Sequence, residues 1–98
     1  MIDFEKYQNE ISRICEKYSV KNLSVFGSAT SEHFTSQSDI DFLIELDSPR
    51  NGMKRYMNIK FELETLFSRP VDLVMPKAIK NRRIKKYIFS EMRQLYAA

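Results

Sequence analysis

The chain has 98 residues, 43% of them apolar and 30% charged. That balance excludes a disordered chain, and the length leaves room for one folded domain, residues 1–98, with no second core. The one cysteine, Cys15, excludes an internal disulfide and a cysteine-rich zinc site, and no apolar run is long enough to span a membrane. A domain of this size buries only about 60–70% of the surface its unfolded chain exposes, so an open apolar face for a partner is in keeping with it. The first ten residues lack the basic start and apolar middle of a secretion signal, so the expected location is cytoplasmic.

Residues 3–18 place Phe4, Tyr7, Ile11, Ile14, Cys15 and Tyr18 at helical spacing, with Asp3 as N-cap. Cys15 lies on that stripe and reads as a small buried hydrophobe. Residues 21–26 are apolar-rich and stop at Gly27, which reads as a buried strand. Residues 39–46 alternate with period two. Ile40, Phe42, Ile44 and Leu46 share one face, and Asp39, Asp41, Leu43 and Glu45 share the other.

Loop residues follow up to Gly52, and then Tyr56, Ile59, Leu63, Leu66 and Phe67 mark a helix over 53–67. Pro70 breaks it. Residues 71–75 read as a third strand, with Asp72 set among apolar neighbours, and Pro76 ends it. Residues 77–96 read as a last amphipathic helix with the stripe Ile84, Ile88, Met92 and Leu95. The expected fold is α+β, with α/β-type layers: helices packed on a small mixed sheet of three to four strands. Strand order is not readable from the sequence.

The net charge of +3 is unevenly spread. Residues 76–98 carry seven Lys or Arg against one Glu, a net +6, and the preceding 75 residues carry a net −3. A basic segment can face phosphates, nucleic acid or an acidic protein, or can simply be a solvated helix face. Nucleic acid is the weakest of these readings, because the last helix lacks interleaved exposed aromatics and no helix-turn-helix pattern precedes it.

Three features carry chemistry. Asp39 and Asp41, at i and i+2 of a strand, put two carboxylates side by side, an arrangement that repels itself unless a cation sits between them. Oxygen donors of this kind suit Mg²⁺, and Asp72, costly in an apolar strand, adds a third acid if its strand lies alongside. Three converging acids suffice for a two-metal site of in-line phosphoryl displacement. Gly27-Ser28 at a strand end lets the backbone turn tightly and offers amides and a hydroxyl to phosphate.

Gly27-Ser28, ten intervening residues, and Asp39-Ile40-Asp41 followed by Phe42-Leu43-Ile44 resemble the signature of the minimal nucleotidyltransferases, in the DNA polymerase β-like nucleotidyltransferase superfamily. Pro70-Val71-Asp72-Leu73-Val74 stands where that family carries its third carboxylate. The resemblance implies transfer of a nucleoside monophosphate from ATP to a hydroxyl, with release of pyrophosphate. It implies Gly27 and Ser28 as triphosphate ligands and Asp39 and Asp41 as ligands of two Mg²⁺ ions. Asp72 is implied as a ligand of the catalytic metal that also helps activate the acceptor.

Small members of that family resemble the antitoxin of a toxin–antitoxin pair, which silences a HEPN-domain ribonuclease toxin by adenylylating a tyrosine. The alternative from another class is a binding module of the same fold that neutralises its partner by complex formation. Residues 29–34 hold no Lys or Arg, where many relatives carry Arg and Gly. The replacement cations are expected from Arg50, Lys54, Arg55 or the C-terminal segment. His33, the single histidine, reads as an exposed loop residue.

Overall fold

A computed structural model describes residues 2–30, 35 and 37–98, the side chains of Ser28 and Thr30 excepted. The elements follow as α1 (Gln8–Lys17), β1 (Val20–Phe26), β2 (Ile40–Leu46), α2 (Gly52–Phe67), β3 (Val71–Val74), α3 (Arg82–Glu91) and β4 (Arg93–Ala97). Short 3-10 turns cover Phe4–Tyr7, Gly27–Thr30 and Pro76–Ala78. The sheet runs in the order β3-β2-β1-β4; β1 is antiparallel to β2 and to β4, and β2 is parallel to β3. The expected mixed sheet has four strands.

The alternating pattern of β2 divides the molecule into two layers. Ile40, Phe42 and Ile44 are fully buried and join one cluster with Phe4, Ile11, Leu23, Val25, Ile59, Leu63 and Phe67. This is the core under α1 and α2. Edge-to-face contacts of Phe4 with Phe42 and Phe67, at 6.4 and 5.7 Å between ring centres, fill its middle. Cys15 is fully buried here, and burial pushes its thiol up to about 12, so it stays a protonated hydrophobe. The other face of β2 carries Asp41 and Leu43 and looks toward α3, where Leu43, Ser24 and Ile88 are buried.

Local chemistry sets the boundaries. The Asp3 carboxylate accepts from the Glu5 amide at 3.2 Å, which caps the first turn as expected. Helix α2 is bracketed by Asn51 and Ser68, both left-handed, and Pro70 prevents continuation. At the start of α3 the Asn81 side chain accepts from the amides of Arg83 and Ile84.

The C-terminal segment corrects the sequence reading. The expected helix over 77–96 is a 3-10 turn, the helix α3, and then the strand β4. Leu95, placed on a helical stripe, instead points into the α1 layer from a strand and is buried, whereas Ile84 is 53% exposed. The reason is tertiary: β1 would otherwise be an open edge, and β4 covers it. Gln8 Nε2 donates to the Leu95 carbonyl at 2.9 Å, which ties the strand to α1.

Candidate active site

The β2–β3 register brings the acids together. Asp41 and Asp72 are direct partners across the parallel pair, so their side chains leave the sheet on the same face. Asp39 is the exposed residue just before β2. Burial pushes the Asp41 carboxyl above its usual range, and the charges of Asp72 and Asp39 and a hydrogen bond with Asp72 push it further. Two carboxylates this close repel each other, and a divalent cation between them would offset that repulsion.

Gly27 forms the opposite wall. Its φ is +74°, and a Cβ there would lie 2.7 Å from Asp41 Oδ2. Glycine is therefore required twice, by the left-handed backbone and by the close approach of the carboxylate. The 3-10 turn Gly27–Thr30 starts at this residue, so the backbone of Ser28 stands beside the acid pair. The side chain of Ser28 and the whole of His33 lie outside the described residues.

Of the three acids expected on one face, Asp41 and Asp72 form a close pair, and Asp39 is the exposed residue just before β2. Among the described residues no three acidic, histidine or cysteine side chains are gathered closely enough to hold a metal ion. The donor chemistry nonetheless fits Mg²⁺: an all-oxygen pair carries unfavourable negative charge, and glycine leaves one side of it open to a ligand.

Side chains of α2 hold β3, and so Asp72, in place. β3 is an edge strand with open backbone groups. Tyr56 Oη donates to the Leu73 carbonyl and Lys60 Nζ to the Val71 carbonyl, both at 2.6 Å. Glu64 accepts from the Val71 amide at 3.0 Å, and this bond holds the Glu64 carboxyl below its usual range. The Arg69 guanidinium donates to the carbonyls of Thr35 and Ser38, which fixes the approach to Asp39. None of these four residues stands out in the sequence. Tyr56 shares the apolar stripe, and Lys60 with Glu64 reads as an ordinary i,i+4 surface pair.

The replacement cations expected from α2 are at the wrong end of the sheet. Arg55 donates to the carbonyls of Tyr18 and Ser48 and pairs with Asp47 at 2.8 Å. Those residues flank the start of β1 and the end of β2, and Asp41 lies near the start of β2. Arg55 is a staple for the loop before α2, which is why Asp47 is held below its usual carboxylate range. Arg50 and Lys54 belong to the same end.

A cavity of about 550 Å³ opens between the sheet and α3. Asp41 and Asp72 stand in its wall with Phe26, Val74, Ile84 and Ile88, and Lys80 and Asn81 lie on its rim side. It is a shallow groove, open to solvent, with apolar walls and the two carboxylates among its polar groups.

The nucleotidyltransferase domain family matches residues 9–95. A protein of Methanocaldococcus jannaschii, provisionally named a protein adenylyltransferase, is 39% identical over 77 residues, 79% of this chain and 78% of its own. Among solved structures, one described provisionally as a minimal nucleotidyltransferase superposes with a TM-score of 0.77 at 21% identity, covering 92% of this chain and 90% of that one. A chain from the tri-AMPylated Shewanella oneidensis HEPN toxin in complex with MNT antitoxin superposes with a TM-score of 0.67 at 16% identity, covering 96% and 72%. The two structural likenesses concern the fold.

Proposed function

We propose, from the premise that this chain belongs to the nucleotidyltransferase domain family, that it transfers AMP from ATP to a hydroxyl of a partner protein. The observation that carries this is the in-register pair Asp41–Asp72 facing the glycine turn at Gly27. Gly27 and Ser28 receive the triphosphate. Asp39, Asp41 and Asp72 would hold Mg²⁺, which when bound neutralises phosphate charge and steadies the attacking and leaving oxygens.

Asp72 accepts the proton of the acceptor hydroxyl. The hydroxyl oxygen bonds to the α-phosphorus, the bond from that phosphorus to the bridging oxygen breaks, and pyrophosphate leaves. The acceptor in this proposal is a protein side chain, a tyrosine, a reading supported by the relative's name and by the AMPylated toxin of the structural neighbour. The named relative is provisionally called a protein adenylyltransferase, and a structural neighbour pairs an antitoxin with an AMPylated HEPN toxin. These support the reading that this chain is the cytoplasmic antitoxin of such a toxin. A strip of exposed apolar residues on α2, Met53, Met57 and Phe61 at four-residue spacing, also supports a protein partner.

A second reading has its own observation. No three acids are gathered at metal-ligand spacing among the described residues, as suits a binding module of this fold that neutralises its partner by complex formation. One experiment separates the two. Cells expressing a HEPN-type toxin are given either this chain or Asp39→Asn with Asp41→Asn, and the toxin is recovered after labelling with radioactive ATP. Transfer predicts label and protection with the native chain only. Protection by both chains without label supports the binding module.

A further inference from the structure

A triphosphate brings up to four negative charges to a site that already holds two or three carboxylates. The 3-10 turn that would receive it, Gly27–Thr30, contributes no cation. Arg55 is bound to backbone carbonyls and Asp47 at the far end of the sheet. Arg69 donates to the carbonyls of Thr35 and Ser38. Arg93, at the start of β4, pairs with Glu5 at 3.8 Å.

Lys80 differs from all of these. Among the described residues it is the one cationic residue lining the cavity that also contains Asp41 and Asp72. Among the described residues it makes no hydrogen bond or ion pair, so its ammonium is available. Its backbone is held firmly. Pro76–Ala78 forms a 3-10 turn directly after β3, and Asn81 caps α3. Lys80 therefore sits between two fixed points, on the same short stretch of chain as Asp72. Helix α3, which begins just after the lysine, packs against the Gly27–Thr30 turn, so the same element borders both the cavity and the proposed phosphate turn.

We infer that Lys80 is the residue that binds the phosphate chain of the nucleoside triphosphate, in place of the basic residue missing after Ser28. The assignment rests on the nucleotidyltransferase reading and adds a residue to it. A flexible lysine suits this role, since a compact ammonium neutralises phosphate as a point charge and needs no planar geometry.

The test is direct binding of a non-hydrolysable ATP analogue and of AMP, in the presence of Mg²⁺, by calorimetry. Lys80→Ala is expected to weaken the analogue about tenfold, as loss of one charge-assisted contact does, and to change AMP by less than about twofold. Lys80→Arg restores most of the affinity, and Lys86→Ala, on the exposed side of α3, leaves both ligands unchanged. Lys80→Ala binding the analogue as tightly as the native chain, or losing AMP to the same extent, overturns the assignment. If the native chain, folded by its thermal melt, binds no analogue, the nucleotide reading fails and Lys80's role fails with it.

Discussion

At the scale of single residues, the site depends on two unfavourable local arrangements that each have a purpose. Gly27 has a positive φ and lies against Asp41 Oδ2. Gly27→Ala is expected to cost about 1–2 kcal/mol from backbone strain alone. It should reduce nucleotidyl transfer by far more than that stability loss explains, because the added carbon displaces the carboxylate. Urea unfolding beside an activity assay checks both. Asp41 is the other case. Its carboxyl is raised by burial, by Asp72 and by Asp39, so the fold makes its charged form harder to reach than in the unfolded chain. A raised carboxyl stabilises the fold fully below its unfolded value, near 3.8, and loses that contribution as the pH climbs through the folded value. The Asp41 contribution in metal-free protein should therefore fade as the pH is raised from 3.8 toward neutrality, read as a change in the melting-temperature difference between the native chain and Asp41→Asn in favour of the variant. Added Mg²⁺ should raise the melting temperature at neutral pH in the native chain and not in Asp41→Asn.

At the scale of elements, the strands and helices with clean periodicity were legible. In β2 the alternation of apolar and acidic residues states both the strand and its buried face, and Pro70 and Pro76 frame β3. β4 was not legible. Met92, Ile88 and Leu95 fit a helical stripe, and a five-residue strand leaves too few positions for period two to show. What decides its form is the open edge of β1, which a linear reading cannot see. The two readings differ measurably. In a strand, Leu95→Ala empties a buried site and should cost about 2–4 kcal/mol, while Ile84→Ala, at a half-exposed position in the cavity wall, should cost under about 1 kcal/mol. One continuous stripe would make the two costs similar. The α2–β3 latch makes a further prediction. Glu64 is held low by the Val71 amide, so its contribution is present above the ordinary value of 4.5 and is lost as the pH falls through the lower folded value. Glu64→Gln should lower the melting temperature at neutral pH, and the difference should shrink in acid.

At the scale of the whole molecule, the site lies where three separate stretches of chain meet, and only part of that meeting is written in the sequence. Spacing and resemblance are what name Gly27, Ser28, Asp39, Asp41 and Asp72 as the proposed site residues. The contact of Asp41 with Asp72 depends on β3 lying parallel beside β2, and no residue pattern states that order. Direction along the sheet was equally hidden. Arg55 looked like a site cation in the sequence, and the fold puts it at the opposite end, holding a loop. The same fold brings the basic C-terminal quarter across the acid-bearing face, with Lys80 in the cavity wall. The most direct test of this account is intact-mass and peptide mass spectrometry of a HEPN-type partner after incubation with the chain, ATP and Mg²⁺, with released pyrophosphate counted in parallel. The account predicts AMP on a partner tyrosine, one pyrophosphate per AMP, and neither product with Asp72→Asn. A partner that stays unmodified while bound to the native chain, or is modified equally by Asp72→Asn, would contradict it.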